Sequence, residues 1–245
     1  MITTEEQKPC GLISEIQRHE VAPQRLENLF SACELDEIRA VREEAYKDKD
    51  RCSTKLIADS SRPLGHTAHP GPELKNRLET IVRPKLSAHC SKNFEMDFAF
   101  HKNLFPYGIH TDSGYDASEK IYKQGIIPLD VFPSDGEVYT VIFNQKCYHS
   151  ISYPRKLETI QSLKKIELAQ ITDWENTETQ TAWGKYWEQN EDQFKNFEGL
   201  SIALPFKWKA GDMALWDRAH LHCSSDFSVH NIEGKSGLMW ISRRV

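Results

Sequence analysis

The sequence predicts a mainly β domain with flanking helices, and three observations carry that expectation. Phe94, Met96, Phe98 and Phe100 alternate with Glu95, Asp97, Ala99 and His101, the period-two pattern of a half-buried strand. Further short apolar segments follow at 125–132, 137–145, 200–208, 212–217 and 236–243. Helical spacing is confined to residues before 93 and to 155–199. No repeat, low-complexity tract or linker divides the chain, so its 245 residues read as one domain. Within 1–245, residues 1–93 form a mostly helical N-terminal part, 94–154 and 200–245 a β sandwich, and 155–199 a helical insertion or lid.

Taken in order, Leu26, Leu29, Phe30, Cys33, Ile38 and Val41 recur at helical intervals from Pro23, with a break between two helices expected near 31–34. The stretch 49–72 is dense in Ser, Pro, Gly and charge and reads as loop, its His66 and His69 as surface histidines. A helix is expected over 73–89, with Leu74, Leu78, Ile81, Val82 and Leu86 on one stripe and a kink or division at Pro84. Pro133-Ser134-Asp135-Gly136 reads as a hairpin-like turn between two strands. In the insertion, Leu157, Ile160, Leu163 and Ile166 are helically spaced, and Trp183, Trp187, Phe194 and Phe197 suggest an aromatic-faced helix packed onto the body.

The net charge of -5, with Lys and Arg scattered along the chain, argues against a dedicated nucleic-acid binder. No apolar run has the length of a membrane span, and the first residues are polar and acidic, so no membrane association and a cytoplasmic location are expected. The six cysteines are widely spaced without a Cys-x-x-Cys pair, which disfavours a zinc ribbon or thioredoxin-type site and reads as reduced thiols.

Two stretches carry chemistry. In Phe105-Pro106-Tyr107-Gly108-Ile109-His110-Thr111-Asp112, His110 and Asp112 are two apart, so an extended backbone sends both side chains to one face. An imidazole beside a carboxylate supplies two thirds of a two-histidine, one-carboxylate facial iron site. The second stretch runs from Lys209 through Gly211-Asp212 and Trp216-Asp217 to His220, His222 and Cys223-Ser224. His220 and His222 both qualify by parity as the missing histidine.

With the upstream His-x-Asp, this second stretch resembles the two iron-ligand strands of Fe(II)/2-oxoglutarate-dependent oxygenases, in the style of their phytanoyl-CoA dioxygenase and prolyl-hydroxylase-like branches. The resemblance covers roughly residues 94–245 in pattern and is specific at only about a dozen positions. It implies a double-stranded β-helix, or jelly roll, with the two motif strands facing each other across the barrel mouth. It further implies that His110, Asp112 and His222 bind iron, since the family pattern selects the fifth residue after Asp217. A carboxylate at position 112 implies a hydroxylase or other oxidase, because related halogenases carry a small residue there.

Relatives also place a basic residue on the last core strand to pair with the distal carboxylate of 2-oxoglutarate. The candidates are Lys235, thirteen residues after His222, and Arg243 or Arg244. Lys235 and Arg243 share parity but lie about 26 Å apart along a strand at about 3.3 Å per residue, too far to serve one ligand. Lys235 fits the usual placement, and its lysine departs from the arginine of many relatives. Asn103 and Tyr107 stand where relatives contact the cosubstrate or orient a ligand; Thr140 or Tyr139, on opposite faces of a strand, lines the pocket.

The implied activity is oxidation of a C–H bond, hydroxylation by default, with Fe(II), 2-oxoglutarate and O2 as cofactor and cosubstrates and with succinate and CO2 released. The rival readings are a cupin-type metal enzyme without 2-oxoglutarate chemistry and a silent binding module on the same scaffold. Cupins usually bring more histidines to the first motif than the single His110 found here. A small-molecule substrate and a monomeric or homodimeric protein are expected, with 49–72 and 155–199 covering the barrel mouth and Arg62, Trp174 and Trp183 as specificity candidates by location.

Overall fold

A computed structural model describes residues 21–56, 61, 63–90, 93–112, 121–133, 136–146 and 200–244. The expectations for 155–199, including Trp174 and Trp183, and for Arg62 lie outside the described residues. The described elements are β1 (Gln24–Leu26), α1 (Ala32–Ala45), β2 (Cys52–Leu56), β3 (Pro63–Ala68), α2 (Pro72–Leu86), β4 (Phe94–Asn103), β5 (Ile121–Phe132), β6 (Tyr139–Lys146), β7 (Ile202–Lys207), β8 (Met213–Asp217), β9 (His220–Ser224) and β10 (Gly234–Arg244). Two antiparallel sheets face each other: a larger one ordered β1-β8-β5-β10-β4-β3-β2 and a smaller one ordered β7-β6-β9. This is the jelly-roll arrangement that the resemblance implied.

Alternation on β4 assigns the two faces of the larger sheet. Phe94, Met96, Phe98 and Phe100 point outward onto the helices, joining Ile38 and Val41 of α1, Leu78, Val82 and Leu86 of α2, and Trp240 of β10 in one core. Ala99, His101 and Asn103 point the other way, into a cavity between the sheets. A second apolar cluster, with Ile126, Ile142, Phe206, Trp208, Ala214 and Trp216, fills the interior between the two sheets. Helix α1 starts where Ser31 and Glu34 satisfy each other's backbone N–H groups in a capping box.

Three expectations are corrected. Residues 24–26 form an edge strand on β8 instead of the start of a helix, because Arg25 and the Asn28 N–H are drawn to the buried Asp212 carboxylate. The expected loop at 49–72 contains β2 and β3, which extend the larger sheet beyond β4. Their sequences are polar because one side looks into the cavity, so neither shows an apolar alternation. Finally, 133–136 does not join a hairpin. The Gly136 N–H does close a turn on the Pro133 carbonyl, but β5 pairs with β8 and β10 while β6 belongs to the other sheet. Pro84 lies inside α2 without dividing it.

No helix among the described residues is long and apolar enough to cross a membrane. Cys33, Cys52, Cys90 and Cys223 are free thiols.

Candidate metal centre

The segment 107–110 runs beside β9 and is fastened to it by backbone. His110 and His222 exchange reciprocal N–H to carbonyl bonds of 2.9 Å, and the Ser224 N–H reaches the Tyr107 carbonyl at 3.0 Å. Paired residues of an antiparallel ladder send their side chains to the same face, so both imidazoles enter the cavity together. Their ring centroids are 4.3 Å apart.

Asp112 completes the group. Its Oδ1 lies 3.5 Å from His110 Nε2 and its Oδ2 3.1 Å from His222 Nε2. One ligand atom from each of the three residues falls within 4.8 Å of the others, a spacing that can hold a metal ion. The tautomers suit this use. His110 Nδ1 is 2.7 Å from the Gly108 carbonyl and His222 Nδ1 3.1 Å from the His220 carbonyl. A carbonyl only accepts, so each Nδ1 carries a proton and each Nε2 is the ring atom turned to Asp112 and the cavity. The donor set of two imidazoles and one carboxylate therefore fits Fe(II).

The electrostatics agree. Burial lowers the pKa of His110, helped by the adjacent His222. Burial alone would raise the Asp112 pKa, but His222 and His110 outweigh it and hold the carboxyl well below its ordinary range. The Asp112 carbonyl accepts a hydrogen bond from the buried Arg218 at 3.2 Å, which ties the motif strand to the turn after β8.

The cavity in front of the triad has a volume of about 480 Å³. Lys235 lines it from β10, 2 % exposed, with its Nζ 4.1 Å from the Trp208 ring and 5.5 Å from the Phe227 ring. Burial pushes its pKa down to about 7. Among the described residues no carboxylate pairs with it. Arg243 instead pairs with Asp97 on the exposed side of the sheet.

Thr140 also lines the cavity, its hydroxyl accepting from Trp208 Nε1 at 2.8 Å, whereas the Tyr139 hydroxyl is turned to Glu137. Tyr107 and Asn103 line it too, and Asn103 is the direct cross-strand partner of Lys235. His220 is held apart, its Nδ1 2.6 Å from the Phe143 carbonyl. Trp208, Trp216, His101 and Thr67, which no sequence motif singles out, also stand on the cavity wall. Strand parity with Ala99 offered a signal for His101; no local pattern marks the others.

No protein-family model and no curated protein matches the chain. Among solved structures, it is similar to the non-heme alpha ketoglutarate dependent epimerase SnoN from nogalamycin biosynthesis, at TM-score 0.54 and 10% identity over 97% of this chain and 84% of that one. The non-heme alpha ketoglutarate dependent carbocyclase SnoK from the same biosynthesis gives 0.51 and 11% over 94% and 84%. A Pseudomonas putida prolyl-4-hydroxylase gives 0.50 and 10% over 96% and 99%. At these identities the likeness is one of fold.

Proposed function

We propose that the chain is a non-haem Fe(II)/2-oxoglutarate-dependent oxygenase that hydroxylates a C–H bond of a small molecule. The observation that carries this reading is the convergence of His110, Asp112 and His222 with the buried Lys235 in one cavity. The fold supports it, being shared with two proteins described as alpha ketoglutarate dependent and with a prolyl-4-hydroxylase. One of these, SnoN, has been solved in complex with Fe3+, alpha ketoglutarate and nogalamycin RO.

His110, Asp112 and His222 would hold the iron through their cavity-facing atoms. Bound Fe(II) supplies the oxidative decarboxylation of 2-oxoglutarate by O2 to succinate and CO2, coupled to insertion of the second oxygen atom into a substrate C–H bond. Lys235 offers a desolvated ammonium to the distal carboxylate of 2-oxoglutarate, and the dianion in turn compensates a buried cation. Trp208 and Phe227 cover that ammonium and exclude water, and Thr140 fixes the Trp208 indole. Tyr107 packs beside His110 at 5.9 Å between ring centroids and Trp216 beside His222 at 5.2 Å, restricting both ligand rings.

The test is to add Fe(II) and 2-oxoglutarate to the chain without oxygen. A visible charge-transfer band is expected, together with succinate release on aeration across a metabolite panel. Folded protein that binds iron but gives no band would favour a metal enzyme that does not use 2-oxoglutarate.

A further inference from the structure

The wall of the cavity built by β3 and β4 contains polar atoms that the protein itself does not satisfy. His101 Nε2 and Asn103 Oδ1 are enclosed, and among the described residues neither has a hydrogen-bond partner. Trp216 Nε1, on β8 across the cavity, is in the same state. An enclosed polar atom without a partner costs roughly 1–3 kcal/mol, so three around one cavity point to a ligand that supplies the partners.

The geometry says what kind of ligand. His101 and Asn103 are two apart on β4, on the same face and about 7 Å from each other along the strand. Thr67, the cross-strand partner of His101, places its hydroxyl 3.2 Å from His101 Nδ1. A hydroxyl either donates or accepts, so this pair lets Nε2 present a proton or a lone pair as the ligand requires. Burial keeps the imidazole neutral, lowering its pKa to about 4.

Asn103 Oδ1 only accepts, so it asks for a donor, which the 2-oxoglutarate dianion lacks. The same oxygen leans toward β3: a Cβ built on Gly65 would stand 3.2 Å from it. Gly65 thus leaves the room into which the amide extends. Ser53 of β2, the cross-strand partner of Thr67, adds a hydroxyl to the same wall.

We propose that this wall is the substrate subsite and takes a polyhydroxylated small molecule, a sugar- or cyclitol-like ring, with His101 as its specificity-determining residue. Adjacent ring hydroxyls satisfy both needs at once, one accepting from or donating to His101 Nε2 and another donating to Asn103 Oδ1. A purely anionic ligand satisfies only the first, and a hydrocarbon neither. The identity of the reacting C–H bond rests on the oxygenase reading; binding of the ring does not.

The experiment is saturation-transfer NMR on the zinc-loaded full chain, with and without 2-oxoglutarate, using inositols, hexoses and hexitols as probes against cyclohexanol. The polyols are expected to bind at least about tenfold more tightly than cyclohexanol, the equivalent of one hydrogen bond of charge-free type. That preference should vanish in His101→Phe, weaken in Thr67→Val and survive in His101→Gln, whose amide nitrogen reaches the position of Nε2. Should His101→Phe not fold, the Thr67→Val and His101→Gln pair decides alone.

Absence of polyol binding at millimolar concentration, cyclohexanol binding as tightly, or an unchanged preference in the folded variants would overturn the proposal. The anaerobic Fe(II) and 2-oxoglutarate band is recorded on the same variants. A missing band in the unsubstituted chain defeats the oxygenase reading and leaves the subsite measurement standing.

Discussion

His110 and His222 are joined by two backbone hydrogen bonds of 2.9 Å, each donating to the other's carbonyl, so the two imidazoles of the metal centre are set by a strand pairing. The consequence is that the ligand geometry exists before any metal arrives. Preorganisation of this kind makes each ligand individually testable.

His222→Ala removes one ligand atom but leaves the backbone pairing, so the chain should fold and bind Fe(II) at least about 100-fold more weakly, more than outer-shell changes usually cost. His220→Ala, whose ring serves the Phe143 carbonyl, should keep metal affinity within about tenfold and lose some stability. Equilibrium dialysis with Fe(II) under argon checks both, and normal binding in His222→Ala sinks the triad.

Lys235 should make 2-oxoglutarate binding depend on pH. Its pKa is lowered from 10.5 to about 7, so without the cosubstrate it loses its proton as pH rises through about 7. The dianion requires the charged form, and its Kd should rise by up to about tenfold per pH unit above that point, a slope that Lys235→Arg flattens. The sign for stability is opposite. Between pH 7 and 10.5 the unfolded chain binds more protons at this group than the folded one, so its contribution to stability rises with pH across that window. Lys235→Met should therefore raise the Tm of the ligand-free chain while abolishing 2-oxoglutarate binding; calorimetry and titration on one preparation separate the two.

Asp217 carries a structural load beside the site. Its Oδ1 accepts from Lys123 Nζ at 2.7 Å and its Oδ2 from the Val21 N–H at 2.9 Å, with both side chains almost wholly buried. Lys123→Met leaves a buried carboxylate uncompensated and should cost about 3–5 kcal/mol in urea unfolding. Pairing it with Asp217→Leu should recover much of that loss, and additive losses would contradict the coupling.

Gly125 is needed for close packing between β5 and its neighbours. A Cβ there would stand 2.5 Å from the Ala214 carbonyl oxygen and 2.5 Å from Trp240 Nε1. Gly125→Ala should destabilise by about 1–3 kcal/mol or more, because neither a strand backbone nor a core indole yields easily. Thermal unfolding of the variant gives the answer.

Much of this protein is legible in one dimension. The alternation over 94–101, the helical stripe behind α2 and the order His110, Asp112, His222, Lys235 all lie in the chain, because strand and helix periods and motif spacing are local properties. The pairings are not local. β2 and β3 carry no apolar alternation, since they gain their place by hydrogen bonding outward from β4, and only the sheet shows that Thr67 stands opposite His101. Likewise 133–136 has turn residues, yet which sheet each flanking strand joins was decided by the apolar faces that meet across the interior. By parity His220 and His222 were equivalent on the strand. The sequence by itself determined which chemical groups are present and in what order; the tertiary structure decided which of them share a cavity, because that depends on strand partners far apart in the chain.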